Sequence, residues 1–244
     1  MTTLSDKVVL ITGGGSGVGL ATAKLFVTAG SKVVITGRSR EKLEAAAGSL
    51  GSPEKVLAHA TDVSDLAQVE SLVKRVNDHF GAIDVLVNNA GTNLKERTMK
   101  ELTPEAWDRL IRTNLDGAFY CTYAVLPGMR ERSEGVIVNV NSVAGKRASP
   151  LAGAAYAASK HGMHGLGICL AAEEKESNIR VSNIYPGEID TAILDVRPTA
   201  VTEDHRAKIL KPEDVAQAVF FVAQLPAHVS VPELVIKPTS QSYI

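Results

Sequence analysis

Tyr156 and Lys160 stand four residues apart on a predicted helix, so both side chains project from one face. A free phenol, with a reference pKa of about 10, is too weak a base for neutral water. An ammonium beside it favours the phenolate and brings the group into the range useful for general acid/base chemistry. Ser142 follows the apolar run GVIVNV at 135–140, which puts its hydroxyl at the carboxyl edge of a predicted strand, able to hydrogen-bond a reacting oxygen beside Tyr156. Ser142 does not read as a nucleophile, because no G-x-S-x-G elbow surrounds it and the six histidines offer no obvious partner in sequence. Taken singly, a YxxxK pair is commonly just exposed on a helix, and a serine after a strand is commonly a cap or turn residue.

A second chemical feature begins at Val9, in VLITGGGSGVGLATAKLF, where Gly13, Gly14, Gly15, Gly17 and Gly19 crowd together. The strict G-x-G-x-x-G pattern fails, its last position falling on Val18 or Leu20, and a Walker loop fails because Leu20 stands where lysine is needed. The order strand, glycine turn, helix remains, and it suits a phosphate: glycine allows close backbone approach, and the helix N-terminus offers unpaired N–H groups. A tight turn with no ligand is the alternative. After the next strand the chain reads VVITGRSR, with no acidic residue for a ribose 2′-hydroxyl; Gly37 leaves room, and Arg38, supported by Arg40, supplies a planar cation suited to a 2′-phosphate. This points to NADP(H) unless Arg38 is simply a solvated residue at a helix start.

The elements that must position these groups are legible as seven short β-branched runs: 7–12, 32–36, 55–60, 84–88, 135–140, 180–185 and 233–236. Between them lie segments with helical apolar spacing, such as Leu20, Ala23, Leu25, Phe26 and Val27, or Val69, Leu72, Val73 and Val76. Strands apolar nearly throughout are buried on both faces, and their alternation with helices predicts a doubly wound parallel α/β sheet. With 244 residues, 45% of them hydrophobic, and no linker or repeat, residues 1–244 read as one domain. A net charge of -1 gives no basic field for nucleic acid or anionic lipid, and no run is long enough to span a membrane. Cys121 and Cys169 lack a CxxC pattern and read as buried free thiols of a cytoplasmic protein.

Further short motifs follow in order along the chain: Asp62-Val63 after the third strand, Asn88-Asn89-Ala90-Gly91 after the fourth, Asn114 within a helix, and Pro186-Gly187 followed by Thr191. With Thr12-Gly13-x-x-x-Gly17-x-Gly19, Ser142 and Tyr156-x-x-x-Lys160, this set resembles the short-chain dehydrogenase/reductase family over essentially the whole chain. The resemblance implies a Rossmann-type fold with a seven-stranded sheet and a pyrophosphate cradle of Gly13, Ser16, Gly17, Val18 and Gly19. It implies adenine contacts from Asp62 and Val63, and a cofactor wall of Asn89, Ala90, Gly91, Pro186, Gly187 and Ile189, with Thr191 at the nicotinamide carboxamide. Asn88 reads equally well as a purely structural strand-end residue. Lys160 would also hold the nicotinamide ribose, and Asn114 would bend its helix and hold a water linking Lys160 to solvent.

The activity so implied is hydride transfer between NADP(H) and a small carbonyl or alcohol substrate. An alkoxide needs a proton and its reversal needs a base, so Tyr156 serves both directions, its pKa lowered by Lys160 and by the positive nicotinamide of the oxidised cofactor. A nucleotide-binding regulator on the same fold is the alternative. Ser142 and Tyr156 are fourteen positions apart, one more than the usual family gap, so the loop KRASPLAGAA is expected to carry a bulge. The irregular stretch 188–211 is expected to close over a small or medium ketone, aldehyde or keto-ester, with Ile193, Leu194 and Val196 as an apolar wall and Glu188 and Asp190 as acidic groups near the site. No metal is expected, since His161 and His164 lack a third ligand and an H-E-x-x-H pattern. The ending VPELVIKPTSQSYI lacks the Asp-Gly-Gly common in acyl-carrier-protein ketoreductases of the family. Homo-oligomerisation as a dimer or tetramer, through the helices carrying Asn114 and Tyr156, completes the implied picture.

Overall fold

Runs that are apolar at both odd and even positions need cover on both faces, and the chain provides it with helices between strands. The computed structural model describes residues 2–242. Met1 of the expected single domain, and Tyr243 and Ile244 of the C-terminal stretch, therefore lie outside the described residues. Strands β1 (Val8–Thr12), β2 (Lys32–Gly37), β3 (Val56–Ala60), β4 (Val85–Asn88), β5 (Gly135–Val140), β6 (Ile179–Pro186) and β7 (Glu233–Ile236) form one sheet. Its order is β3-β2-β1-β4-β5-β6-β7, with every neighbouring pair parallel.

The order reverses between β1 and β4, and ligands of such sheets bind in the crevice outside the carboxyl ends at that point. Within β1, Val9 and Ile11 join a core layer with Phe26 of α1 (Gly17–Thr28), Leu43 of α2 (Arg40–Leu50) and Val219 of α8 (Pro212–Ala223). Val8 and Leu10 face the opposite layer, filled by Leu72 and Val76 of α3 (Leu66–Phe80), Val125 and Met129 of α5 (Gly117–Arg132), and Leu170 of α6 (Ala154–Glu173). The period-two alternation of the strand thus divides one run of four aliphatic residues between two cores.

Three asparagines cross the middle of the sheet in register. Asn88 of β4 donates to Asn139 of β5 at 3.0 Å, and Asn139 donates to Asn183 of β6 at 3.1 Å. Asn88 also donates to Thr122 of α5 at 3.1 Å, and all three amides are buried. Through these bonds the ladder holds three strands in one register immediately before the strand ends that form the cleft, while Asn88 Oδ1 itself is buried without a partner. Asn88 therefore has the structural role that its strand-end position suggested.

Two expectations are revised. Cys121 is buried, its thiol pushed up to about 12 by desolvation, whereas Cys169 is exposed on the outer face of α6 beside half-exposed Ile168. Apolar neighbours in sequence did not bury Cys169 because it lies on the helix face turned away from the sheet. The stretch 188–211 is also more ordered than an irregular loop: it contains a 3-10 turn at Ala192–Val196 and α7 (Glu203–Arg206), and Ile189 pairs with Leu210 in a parallel bridge.

Candidate active site

The glycine turn runs from β1 into α1 at the reversal point of the sheet. Gly13 adopts φ +65, and a Cβ there would lie 2.9 Å from Asn89 Nδ2; a Cβ on Gly19 would lie 2.3 Å from the Gly13 carbonyl oxygen. The turn is closed by side chains at the neighbouring strand end. Thr12 Oγ1 accepts from the backbone N–H groups of Asn89 and Ala90 at 2.9 Å each, and Asn89 Nδ2 donates to the Thr12 carbonyl at 2.8 Å. Ser16 is the N-cap of α1, yet its side chain makes no capping bond and no acidic residue stands in the first turn. The positive end of α1 is thereby left for an outside anion.

At the other end of the same cleft, β5 ends at Val140, and Ser142 caps a 3-10 turn at Val143–Gly145 by accepting from the Ala144 N–H at 3.1 Å. Tyr156 and Lys160 lie in the first two turns of α6, and the Lys160 Nζ stands 5.9 Å from the Tyr156 ring centre. Lys160 is buried and donates to the Val140 carbonyl at 3.0 Å; desolvation brings it from 10.5 to about 8. The Tyr156 phenol is pushed up by burial, against the opposing pull of a hydrogen bond with Ser142 and of the Arg97 charge. The lowering expected for this phenol counted the positive nicotinamide of the oxidised cofactor together with Lys160; among the chain's own groups burial is the largest influence.

Asn114 occupies a π-helical segment, Arg112–Asp116, between α4 (Pro104–Ile111) and α5. It is fully buried, with Oδ1 accepting from the Thr92 N–H at 2.8 Å and Nδ2 donating to the Thr92 carbonyl at 2.9 Å and to Ser159 Oγ at 3.1 Å. The widened turn lies where the bend is expected, and the Asn114 amide ties the segment after β4 to α6. A Cβ on Gly91 would sit 3.6 Å from Asn114 Oδ1 and 3.8 Å from Lys160 Nζ, so these three residues converge at one point.

A cavity of about 410 Å³ joins the two ends. It brings Gly13, Ser16, Gly17 and Val18 together with Asn89, Ala90 and Gly91 on one side, and with Ser142, Tyr156 and Lys160 on the other. Pro186, Gly187, Ile189 and Thr191 line it as well, beside Ile193 and Val196 of the expected apolar wall. Gly19, Arg38, Asp62, Val63 and Asn114 are not on that wall. Gly19 supports the turn from beneath; Arg38 is exposed directly after β2; Val63 packs on Gly117, where an added Cβ would lie 2.7 Å away; and Asp62 accepts from the Ser64 N–H at 3.0 Å.

Glu188 and Asp190 are engaged in fastening 188–211 to itself. Glu188 pairs with Arg197 at 3.4 Å and with His205 at 2.5 Å, and Asp190 pairs with Arg206 at 2.7 Å and Lys211 at 2.8 Å. His161 and His164 point to different partners, the Ala157 carbonyl at 2.8 Å and the Tyr185 hydroxyl at 2.6 Å. Sequence reasoning missed Arg97, which is buried near Tyr156 and donates to the Leu151 carbonyl at 2.9 Å. No local pattern around Arg97 signals this, because its surroundings come from distant segments. The loop with the additional residue between Ser142 and Tyr156 is held by Arg97 at the Leu151 carbonyl and by Asn93 at the Ala152 carbonyl.

Residues 7–201 match the family model described as short chain dehydrogenase. An uncharacterised oxidoreductase of Staphylococcus aureus (strain USA300) is 36% identical over 238 residues, which is 98% of this chain and all of that protein. Among solved structures, the closed form of a serine dehydrogenase complexed with NADP+ superposes with TM-score 0.87 at 34% identity, covering 97% of this chain and 96% of that one. A 3-ketoacyl-(acyl-carrier-protein) reductase of Brucella melitensis complexed with NADH has TM-score 0.87 and 34% identity, covering 96% of this chain and 98% of that one. With its seven-stranded parallel Rossmann-type sheet and this similarity along its length, the chain belongs to the short-chain dehydrogenase family of oxidoreductases.

Proposed function

We propose that the chain is an NADP(H)-dependent oxidoreductase that interconverts a ketone or aldehyde and the corresponding alcohol. The observation that carries this reading is the single cavity with the glycine turn and the unused α1 N-terminus at one end and Ser142, Tyr156 and Lys160 at the other. The nicotinamide, when bound, supplies or accepts the hydride. Gly13, Ser16, Gly17 and Val18 would hold its pyrophosphate against the α1 N-terminus, and a Cβ at Gly13 or Gly19 would close that cradle. Asn89 to Gly91, Pro186, Gly187, Ile189 and Thr191 would line the nucleotide, with Asp62 and Val63 toward the adenine. Arg38, followed by no carboxylate before Glu41, supports a 2′-phosphate and so NADP(H) over NAD(H).

Ser142 holds the substrate oxygen beside the Tyr156 hydroxyl. In reduction the phenol gives its proton to the forming alkoxide, and in oxidation the phenolate takes the alcohol proton. With a pKa of about 8, Lys160 is able to hand a proton on near neutral pH, and Asn114 positions the backbone beside it. Both groups lie where closing residues 188–211 keep water out, with Ile193 and Val196 as the apolar surface.

NADPH oxidation with a panel of ketones and aldehydes tests the reading. Tyr156→Phe is expected to lower kcat by roughly 100- to 10,000-fold while NADPH binding persists. Turnover unchanged by that substitution would remove Tyr156 from its role, and tight NADPH binding without any turnover would support a regulatory protein instead. We infer further that residues 1–244 act as one domain in the cytoplasm and assemble as a homo-oligomer. Half-exposed Phe119 and Tyr123 on α5 and Ile168 on α6 support the assembly, and light scattering that finds only monomer would refute it.

A further inference from the structure

A second hollow of about 160 Å³ opens beside the first. It shares Ser142, Tyr156, Gly187 and Ile193 with the larger cavity but none of the glycine-turn residues. Among the described residues its wall takes Arg97 and Arg197 from two separate segments, with one acidic residue, Glu188. Glu188 is already paired with Arg197 and His205, so it does not balance Arg97.

Arg97 is the unusual member. Only 5% of its surface is exposed, its Nη atoms donate to the carbonyls of Leu151 and Val196, and its Nε is buried with no hydrogen-bond partner. Burial and the neighbouring Arg197 charge weaken its protonated form, opposed by Tyr156, and among the described residues no carboxylate pairs with it. A guanidinium without a counter-ion in an apolar setting is costly, and it is expected where an anion completes the site. Two carbonyl contacts leave donors of the planar fork unused, the geometry that carboxylates occupy.

We propose that this hollow is an anion subsite and that the substrate is a small hydroxy or oxo acid, its carboxylate held by Arg97 and its carbinol or carbonyl oxygen at Ser142 and Tyr156. The inference rests on the oxidoreductase reading above and narrows it away from neutral ketones and esters. A cavity of about 150 Å³ accommodates benzene, so a hollow of this size admits an acid of about half a dozen heavy atoms. In the oxidative direction the carbinol C–H pair leaves as hydride to the oxidised nicotinamide, the hydroxyl proton passes to the Tyr156 phenolate and then to solvent, and C=O forms. The carboxylate is unchanged.

The test compares short hydroxy acids with their methyl esters and primary amides, using the full chain and NADP+. The acid is expected to have kcat/KM roughly 10- to 100-fold above its ester, with most of the difference in KM. Arg97→Met is expected to bring that ratio toward one, and Arg97→Lys to restore part of it. Because Arg97 also anchors Leu151 and Val196, a third arm uses wild type alone: short unreactive carboxylates should inhibit competitively with the hydroxy substrate, and the matching amides should not. Equal kcat/KM for acid and ester, without inhibition by carboxylates, overturns the subsite and leaves the oxidoreductase reading standing. If nothing turns over, that reading fails, and the subsite is decided by binding: a rise in Tm with propionate but not propionamide, in the presence of NADPH, supports it, and no rise overturns it.

Discussion

The two ends of the cleft are built by opposite means. At the glycine end, recognition comes from backbone: positive φ at Gly13, an α1 N-terminus that Ser16 leaves uncapped, and Asn89 bracing the turn. At the arginine end the proposed recognition comes from a long side chain, Arg97, carried by a loop beside Tyr156. Backbone sites tolerate almost no added volume, whereas side-chain sites are altered by exchanging charge without moving the chain. On the proposed reading the first kind holds the cofactor, and the second sets which substrate is taken.

Three substitutions sharpen that contrast. The largest effect is expected at the backbone end: Gly19→Val puts atoms within 2.3 Å of the Gly13 carbonyl oxygen, and overpacking of about 3 kcal/mol weakens NADPH binding roughly 100-fold. Titration of NADPH fluorescence measures it, and an unchanged Kd would break the account of the turn. Arg38→Asp, on an exposed side chain after β2, should change the NADP(H) to NAD(H) preference by roughly tenfold through loss of one charge-assisted contact, with little effect on Tm. An unchanged ratio of kcat/KM values would remove Arg38 from cofactor choice.

The smallest effect concerns stability and pH. Lys160 has a folded pKa of about 8 against 10.5, so folding disfavours its charged form. Below pH 8 both states bind the proton and the cost of the buried ammonium is present in full. Between pH 8 and 10.5 the unfolded chain holds more protons, so stability rises with pH through this window. Lys160→Met should abolish that rise, seen as a Tm difference between variant and wild type that shrinks from pH 7.5 to pH 10. A difference independent of pH would show that Lys160 is not desolvated as described.

Much of the fold was legible because its signals are short in range. Each of the seven apolar runs became a strand, and the helix carrying Tyr156 and Lys160 begins at Ala154, placing both on the cavity. Fourteen of the cofactor and catalytic candidates share that cavity, whereas Arg38, Asp62, Val63, Gly19 and Asn114 lie off its wall. The exposure of Cys169 and the engagement of Glu188 and Asp190 in ion pairs were not legible. Each depends on which segments cover a group. Arg97 makes the point most clearly, its two carbonyl partners lying 54 and 99 positions away in the chain.

By itself the sequence determined the alternation of strands and helices, the glycine turn and the shared face of Tyr156 and Lys160, because periodicity and i,i+4 spacing act between near neighbours. Only the tertiary structure decided the strand order that opens the cleft, the asparagine ladder behind it and the burial of Arg97 with its Nε unpartnered. Desolvation and charge pairing are properties of the surrounding volume, and that volume is filled by residues far apart along the chain.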